Sequence, residues 1–257
     1  ALPISTKFRA MLRIFGRVLG LVLLVGVLGF AVWAATPLGP DAQAEAALQS
    51  GAGVRVSEGA NWLLFAPESD PQPVGFIFYP GGRVDYRSYA PVLRRIAAAG
   101  YPTVLVRMPL SLAVTAPNRA DGVFPAYPEV GQWVIGGHSL GGAMAAEYVL
   151  QNPLRVRGLV FWAAYPAESS SLADWGGRVL SVYASQDGVA DRQTVLGAAA
   201  RLPQGTRWVE IAGGNHAQFG SYGVQPGDVA AQISAEAQQE QAAQAVIDLL
   251  TEIGGKP

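Results

Sequence analysis

Hydrophobic residues are grouped along the chain in short runs that are rich in β-branched and aromatic residues and are bounded by turn-forming residues. Several runs, such as VGFIFY at 74–79, are continuously apolar, which is typical of strands buried on both faces of a sheet. The pattern predicts eight strands, at residues 53–57, 61–66, 74–79, 102–107, 132–136, 157–163, 178–184 and 206–211.

Segments between these runs have apolar residues at helical spacing, at 86–99, 141–151, 190–202 and 234–253. In the last segment the apolar residues from Ala242 to Ile253 share one face, and Ser234 suits the start of a helix. Strands that alternate with helices predict an α/β fold with a mostly parallel open sheet of eight strands and helices on both faces. Because a short turn joins the first two strands, the sheet is expected to begin with an antiparallel hairpin.

The stretch from Val18 to Pro40 contains no charged residue, and four basic residues and no acidic residue precede it. Since about 20 apolar residues span a bilayer as a helix, residues 1–35 are predicted to be a basic cytoplasmic tail and a transmembrane anchor. The rest of the chain then lies outside the cytoplasm. The alternative is a cleaved signal peptide followed by secretion, although Val32-Trp33-Ala34 is a poor match to a small-x-small cleavage site.

The remainder of the chain divides into a linker and one globular domain. Residues 36–52 are rich in Pro, Ala and polar residues, which predicts a juxtamembrane linker, and residues 53–257 form the predicted catalytic domain. Half of the 257 residues are hydrophobic and 14% are charged, which suits a single well-packed core.

The charge and cysteine content exclude several function classes. The chain has 18 basic and 19 acidic residues, and four of the basic ones precede the apolar stretch, so the domain is mildly acidic and a nucleic-acid partner is not expected. No cysteine is present, which excludes a thiolate nucleophile. Only His138 and His216 are present as histidines, so neither a multi-histidine metal centre nor any other cofactor is expected.

Residues 137–141 read GHSLG, which matches the G-x-S-x-G pattern of a serine nucleophile on a sharp turn between a strand and a helix. A predicted strand precedes the motif and a predicted helix follows it, which is the context that the motif requires; the alternative is an ordinary glycine-rich turn between a strand and a helix. Gly137 and Gly141 carry no side chain that would collide in so tight a turn. Ser139 is therefore the predicted nucleophile, with its hydroxyl above the sheet at the start of a helix.

A serine hydroxyl needs a general base, and the base needs a carboxylate that orients it. His138 is set aside because adjacent side chains on the turn diverge, which leaves His216, in the loop after the last predicted strand. Asp187 lies in the loop at the end of the seventh strand, whereas Asp191 resembles the cap of the next helix. The predicted triad of Ser139, Asp187 and His216 has the serine-acid-histidine order of this architecture.

An oxyanion hole needs two backbone N–H donors. The residue after the nucleophile, Leu140, supplies one, and the loop after the third strand supplies the other. That loop reads PGGR from residue 80, and Gly82 is the predicted donor because glycine leaves the backbone open to a substrate.

Four motifs in this order resemble the α/β-hydrolase superfamily: VGFIFYPGGRVDYRSY, GGHSLGGAMAAEY, SQDGVAD and GGNHAQFGSYG. The resemblance covers most of residues 53–253 and is specifically to the small dienelactone-hydrolase-like branch of single-domain bacterial hydrolases, which are often exported or membrane-anchored. It implies a serine hydrolase fold with Ser139, Asp187 and His216 in the triad positions. Dienelactone hydrolase itself uses a cysteine nucleophile, so Ser139 counts against that particular activity.

Residues 108–131 separate the fourth strand from the nucleophile strand, which predicts a minimal cap, unlike the long caps of lipases. Tyr165 and Phe219 are placed to flank the pocket, with core packing as the alternative. Arg83, beside the oxyanion loop, is placed to attract an acidic acyl group, with a solvated position as the alternative. An apolar rim to the pocket is expected from Leu110, Leu112, Val114 and Phe124.

The residues together favour a membrane-anchored hydrolase that cleaves small-molecule carboxylic esters through an acyl-serine intermediate. Peptidase, thioesterase and haloperoxidase-like activities are alternatives, because a fold does not fix a substrate. A non-catalytic binding module on the same fold is a further alternative, which the loss of a triad residue would favour, and none is lost.

Overall fold

The protein is described by a computed structural model that covers the backbone of residues 6–255 and the side chains of residues 11–33 and 36–255. One unit ends at Pro37 and a second begins at Leu38. The first consists of helix α1, Thr6–Ala35, in which Met11–Trp33 is long and apolar enough to cross a membrane or to serve as a signal sequence. The predicted basic tail lies partly outside the described residues.

The second unit is built on one eight-stranded sheet with the order β1-β2-β4-β3-β5-β6-β7-β8. β1 and β2 form the expected antiparallel hairpin, β2 pairs antiparallel with β4, and the remaining neighbours are parallel. The strands are β1 Val54–Glu58, β2 Trp62–Pro67, β3 Val74–Tyr79, β4 Thr103–Val106, β5 Gln132–His138, β6 Gly158–Trp162, β7 Arg178–Ala184 and β8 Arg207–Ile211.

Four helices of the second unit lie in the predicted helical segments, some with shorter bounds, whereas α2, Ala42–Ala47, and α4, Val123–Ala126, lie in segments for which no helix was expected. The predicted helix at 190–202 is a short α-helix followed by a 3-10 turn, and the one at 86–99 begins with a 3-10 turn at Tyr86–Tyr89. The α-helices are α2 Ala42–Ala47, α3 Ala90–Ala98, α4 Val123–Ala126, α5 Leu140–Gln151, α6 Arg192–Gly197 and α7 Ala235–Gly254.

Both faces of the sheet are covered, which explains why its strands are continuously apolar. On one face, residues of α3 and α7 such as Leu93 and Val246 pack with Phe78 of β3. On the other face, Val149 of α5 packs with Ile135 of β5 and with the segment that precedes β5. Burying each such side chain stabilises the fold by about 1.5–3 kcal/mol.

The strand order places the loops after β3, β5, β7 and β8 along the carboxyl edge of the sheet. β3 and β5 are neighbours, with Tyr79 opposite Gly137, so the loop after β3 lies beside the turn after β5. β5, β6, β7 and β8 then follow in chain order and run parallel, so the loops after β7 and β8 reach the same edge of the sheet. Ligands bind at this carboxyl edge in open α/β sheets.

The segment at 36–52, which its composition predicts to be a linker, contains α2 and packs on the second unit from Leu38 onward. The backbone N–H of Leu38 donates to the Arg83 carbonyl at 2.8 Å, and the N–H of Asp85 donates to the Leu38 carbonyl at 2.8 Å. These are main-chain contacts, which a composition of small and polar residues does not reveal.

The short cap predicted at 108–131 consists of 3-10 turns and α4. Tyr79, the last residue of β3, holds it in place: its hydroxyl donates to the Pro117 carbonyl at 2.6 Å and accepts from the Ala120 N–H at 2.9 Å. The cap is therefore tied to the strand that leads into the predicted oxyanion loop.

Candidate active site

Ser139 is the single residue between the end of β5 and the start of α5, and it is half-buried. Its φ of 51° and ψ of −123° lie in a region that non-glycine residues rarely adopt, so the backbone is strained at the predicted nucleophile. A Cβ at Gly137 would lie 2.6 Å from the Tyr79 carbonyl oxygen, and one at Gly141 would overlap the carbonyls of Tyr79 and Pro80. The turn therefore requires glycine at both positions.

The predicted acid and base meet at the same edge of the sheet. Oδ2 of Asp187 lies 2.8 Å from Nδ1 of His216, and both side chains are buried, with 0% and 1% of their surfaces exposed. Oδ1 of Asp187 accepts the backbone N–H groups of Val189 at 2.8 Å and of Ala190 at 2.7 Å, which fixes the plane of the carboxylate. Asp191 instead caps α6 by accepting from the N–H of Gln193.

The predicted nucleophile directly follows a residue that contacts the predicted base, but it is not hydrogen-bonded to that base. The ring of His138, the residue before Ser139, has its centroid 4.4 Å from that of His216. No hydrogen bond joins the Ser139 hydroxyl to any group among the described residues. Catalytic hydrogen bonds are often long in the absence of substrate and tighten when it binds.

The two predicted oxyanion donors are neighbours in space. A Cβ added to Gly82 would lie 3.1 Å from Cδ2 and 3.5 Å from Cβ of Leu140. The backbone N–H groups of Gly82 and Leu140 donate to no other group within the described part of the chain. Next to them, Arg83 has a φ of 57°, and its N–H donates to the Ser111 carbonyl at 2.7 Å.

The residues predicted to contact substrate differ in their exposure. Leu110 and Val114 are 50% and 55% exposed on the cap, as expected for a rim, and Leu112 lies next to Gly82. Tyr165 is half-buried after β6 and packs against the core.

Two of the predicted aromatic contacts pack against other aromatic rings, and one of them is fully buried. Phe219 is fully buried and stacked on Trp162 at 5.9 Å, because the 3-10 turn after His216 directs its ring inward, so it has no surface for a substrate. Phe124, expected at the rim, is half-buried with its ring 6.2 Å from that of Trp133 and 6.4 Å from that of Tyr148. The core-packing alternative is therefore the correct one for Phe219.

A family model described as the alpha/beta hydrolase family matches residues 75–240, which is more than half of the chain. The chain belongs to the α/β-hydrolase family. The matched region includes Ser139, Asp187 and His216, together with the oxyanion loop after β3. No group of three or more His, Cys, Asp or Glu residues that could hold a metal ion occurs in the described part of this hydrolase.

Solved structures share the fold of this α/β hydrolase at low sequence identity. Est1E from Butyrivibrio proteoclasticus superposes with a TM-score of 0.56 at 12% identity, over 78% of this chain and 100% of its own. A predicted CIB-like hydrolase from Thermoplasma acidophilum gives 0.53 at 16% identity, over 76% and 100%. TT1662 from Thermus thermophilus gives 0.54 at 13% identity, over 77% and 98%. No curated protein sequence matches the chain.

Sequence reasoning missed a carboxylate that links the acid and base loops of this hydrolase. Oδ1 of Asp228 accepts the N–H of Gly188 at 3.0 Å, and Oδ2 accepts the N–H of Ala217 at 2.8 Å. Gly188 follows Asp187 and Ala217 follows His216, so one side chain holds both loops. Asp228 lies in an irregular loop outside the four motifs, and no local pattern marks it.

The base loop is also held by the last helix. Gln238 of α7 is fully buried, and its amide pairs with the backbone of Asn215: Oε1 accepts the N–H at 2.9 Å and Nε2 donates to the carbonyl at 2.7 Å. Asn215 directly precedes His216. A polar residue at an inward position of an amphipathic helix is the one sequence signal that could have pointed to this contact.

Residues at the start of the second unit contact the oxyanion loop and the segment that follows His216. Leu38 pairs with the oxyanion loop, and the N–H of Asp41 donates to the Ser221 carbonyl at 2.9 Å. Ser221 in turn donates its N–H to the Ser88 carbonyl at 2.8 Å. Residues 38–41 are therefore hydrogen-bonded to loops that border the candidate site.

Proposed function

We propose that this α/β hydrolase is a serine-dependent carboxylic ester hydrolase, with Ser139 as nucleophile, His216 as general base and Asp187 as the carboxylate that orients it. The observation that carries the proposal is the buried 2.8 Å contact between Asp187 Oδ2 and His216 Nδ1, at the sheet edge that also carries Ser139. A carboxylate can only accept, so Nδ1 holds the proton and Nε2 is left free to take the proton of the serine.

The reaction follows from these roles. The Ser139 hydroxyl attacks the ester carbonyl while His216 takes its proton, and the carbonyl oxygen becomes an oxyanion that the N–H groups of Gly82 and Leu140 stabilise. Collapse of this intermediate expels the alcohol, which takes the proton from His216, and leaves an acyl-serine. A water molecule, deprotonated by His216, then attacks the acyl group and releases the acid and Ser139.

The surroundings of the site support a small apolar ester as substrate. The cap is short, and Leu110 and Leu112 lie on it beside the oxyanion loop, where they can contact an acyl chain. The mechanism needs no cofactor. Arg83 and Tyr165 remain proposed contacts of the substrate.

The proposed location is the membrane, with the helix α1 as a single-pass anchor and the catalytic unit outside the cytoplasm. Uncharged Val18–Ala35 and the preceding basic residues support this orientation. The motif resemblance to dienelactone-hydrolase-like proteins, which are often exported or anchored, supports the same location.

The test compares the detergent-solubilised full chain with its Ser139→Ala variant on p-nitrophenyl esters of increasing acyl length. Loss of the nucleophile in a well-studied serine hydrolase lowers kcat on the order of 10⁶-fold, and a loss of this order is expected here. Labelling by a fluorophosphonate probe, which reacts with activated serines, should disappear as well.

Ser57→Ala, on an exposed position of β1, is the control and should retain both activity and labelling. Hydrolysis of thioesters or peptides but not of esters would contradict the proposed substrate class and would mean that the same triad cleaves a different bond. Activity or labelling that persists in the folded Ser139→Ala variant would refute the assignment of the nucleophile.

A further inference from the structure

A buried chain of hydrogen bonds lies beneath the site and uses none of the proposed triad. The N–H of Gly81, in the oxyanion loop, donates to the Tyr89 hydroxyl at 3.0 Å. The same hydroxyl lies 2.8 Å from Nδ1 of His138. Tyr89 is fully buried and His138 is 1% exposed, so neither side chain can touch a substrate in the pocket.

The direction of each hydrogen bond follows from the donors available. The Tyr89 oxygen accepts from Gly81, so its own proton needs an acceptor, and Nδ1 of His138 is the one within reach. Burial raises the pKa of Tyr89, which keeps its hydroxyl protonated. Nδ1 of His138 is therefore unprotonated, and the proton of its neutral ring lies on Nε2.

The other side of His138 faces the base. Its ring centroid is 4.4 Å from that of His216 and 5.5 Å from that of Phe219. Burial, and to a smaller extent His216, lowers the pKa of His138 well below 6.5, so the ring stays neutral beside the base. The backbone carbonyl of His216 raises the pKa of His138 by a smaller amount. Nε2 of His138 nevertheless forms no hydrogen bond among the described residues.

The groups joined by these hydrogen bonds are closely packed. A Cβ added to Gly81 would lie 2.8 Å from both His138 Nδ1 and the Tyr89 oxygen. The Tyr89 ring also packs against Phe78 of β3, with the centroids 5.0 Å apart. The oxyanion loop, the last residue of β5 and the base are therefore in contact through two side chains.

We propose that Tyr89 and His138 are positioning residues, which hold the oxyanion loop through Gly81 and the ring of His216 at the separation that catalysis needs. The inference rests on the proposed function. Oxyanion donors and bases work only when held within about 0.5 Å of the productive geometry, so a buried connection between them affects rate rather than substrate binding.

Tyr89→Phe tests the hydrogen-bond chain, because it removes the hydroxyl and keeps the ring that packs on Phe78. Removing one oxyanion donor outright costs about 10²–10³ in kcat, so a donor loop that is loosened should cost at least about 10-fold, with KM nearly unchanged. The control is Tyr101→Phe, which also loses a hydrogen bond of the hydroxyl, a partly buried one of 2.6 Å to Thr251 Oγ1 at the opposite end of the sheet. It should keep its kcat, whatever its thermal stability.

Two substitutions of similar size at His138 test the acceptor. His138→Asn keeps an acceptor near the position of Nδ1, whereas His138→Leu keeps none, and both remove the ring. The proposal expects a higher kcat for His138→Asn than for His138→Leu at similar KM. Equal kcat values for these two variants, or a kcat for Tyr89→Phe equal to that of Tyr101→Phe, would overturn it.

Nitrogen-15 NMR of the unaltered full chain gives a result that does not depend on any variant folding. With only two histidines in the chain, the ring signals separate simply. His138 should show an unprotonated Nδ1 and a protonated Nε2 at neutral pH, and the reverse tautomer would overturn the proposal. Loss of activity in Ser139→Ala together with full activity in Tyr89→Phe would refute this inference and leave the proposed function intact.

Discussion

Asp187→Asn and Asp191→Asn form a matched pair, since each removes one negative charge from the segment after β7. In Asp187→Asn the new amide oxygen can keep the N–H groups of Val189 and Ala190, which fixes the NH₂ toward Nδ1 of His216. An NH₂ group only donates, so Nδ1 must lose its proton and Nε2 must carry it. The base can then no longer accept the proton of Ser139.

The magnitude follows from this change of tautomer. The same substitution in a well-studied serine protease lowers kcat by about 10⁴, or about 5.4 kcal/mol at 1.36 kcal/mol for each tenfold step. A loss of similar size is expected for Asp187→Asn because the side chain is fully buried and water cannot replace the lost acceptor. Asp191 accepts from the N–H groups of Gln193 at 2.9 Å and Thr194 at 3.0 Å and does not contact His216, so its replacement should leave kcat unchanged.

The assay measures kcat for one p-nitrophenyl ester at one pH for both variants, with circular dichroism to show that each is folded. Equal losses in the two variants would refute the reasoning, because they would point to the charge of the segment instead of the orientation of His216. A large loss for Asp191→Asn alone would mean that the acid lies at the start of α6.

Three further outcomes are expected. A chain that begins at Ala42 should have a lower free energy of unfolding and lower kcat than one that begins at Leu38, because it lacks three main-chain hydrogen bonds to the site loops, at about 1 kcal/mol each; equal values in urea unfolding and kinetics would contradict this. Because folding lowers the pKa of His138, keeping the ring neutral destabilises the folded state only when the pH falls below about 6.5, where the free energy of unfolding should drop by up to about 1.4 kcal/mol per pH unit. Urea unfolding at several pH values should show that this free energy depends less on pH in His138→Asn. The full chain should stay with the membrane until detergent is added, and a soluble chain that starts near Thr36 would show cleavage instead.

The parts of the site that follow from local sequence are those in which one residue type is required at one place. The strained turn at Ser139 demands glycine on both sides, and α6 needs a cap, which separates Asp191 from Asp187. Both constraints act within a few residues of the chain and can therefore be read from it.

The other parts depend on contacts between distant segments. Tyr89 and His138 are 49 residues apart, and Asp228 reaches Gly188 across 40. Neither contact leaves a periodic pattern in the sequence. The position of Phe219 shortly after His216 predicts a place at the pocket, but the turn after His216 buries its ring. The pairing of Leu38 with the oxyanion loop is made by backbone atoms, which every residue carries.

The two hydrogen bonds between the Gln238 amide and the Asn215 backbone form late in biosynthesis. α7 is the last helix of the described chain, and it both seals one face of the sheet and sets the residue before His216. While a nascent chain still holds α7 inside the ribosome or a translocation channel, the base loop lacks this support. The proposed esterase activity should therefore arise late in synthesis, after the rest of the sheet has emerged.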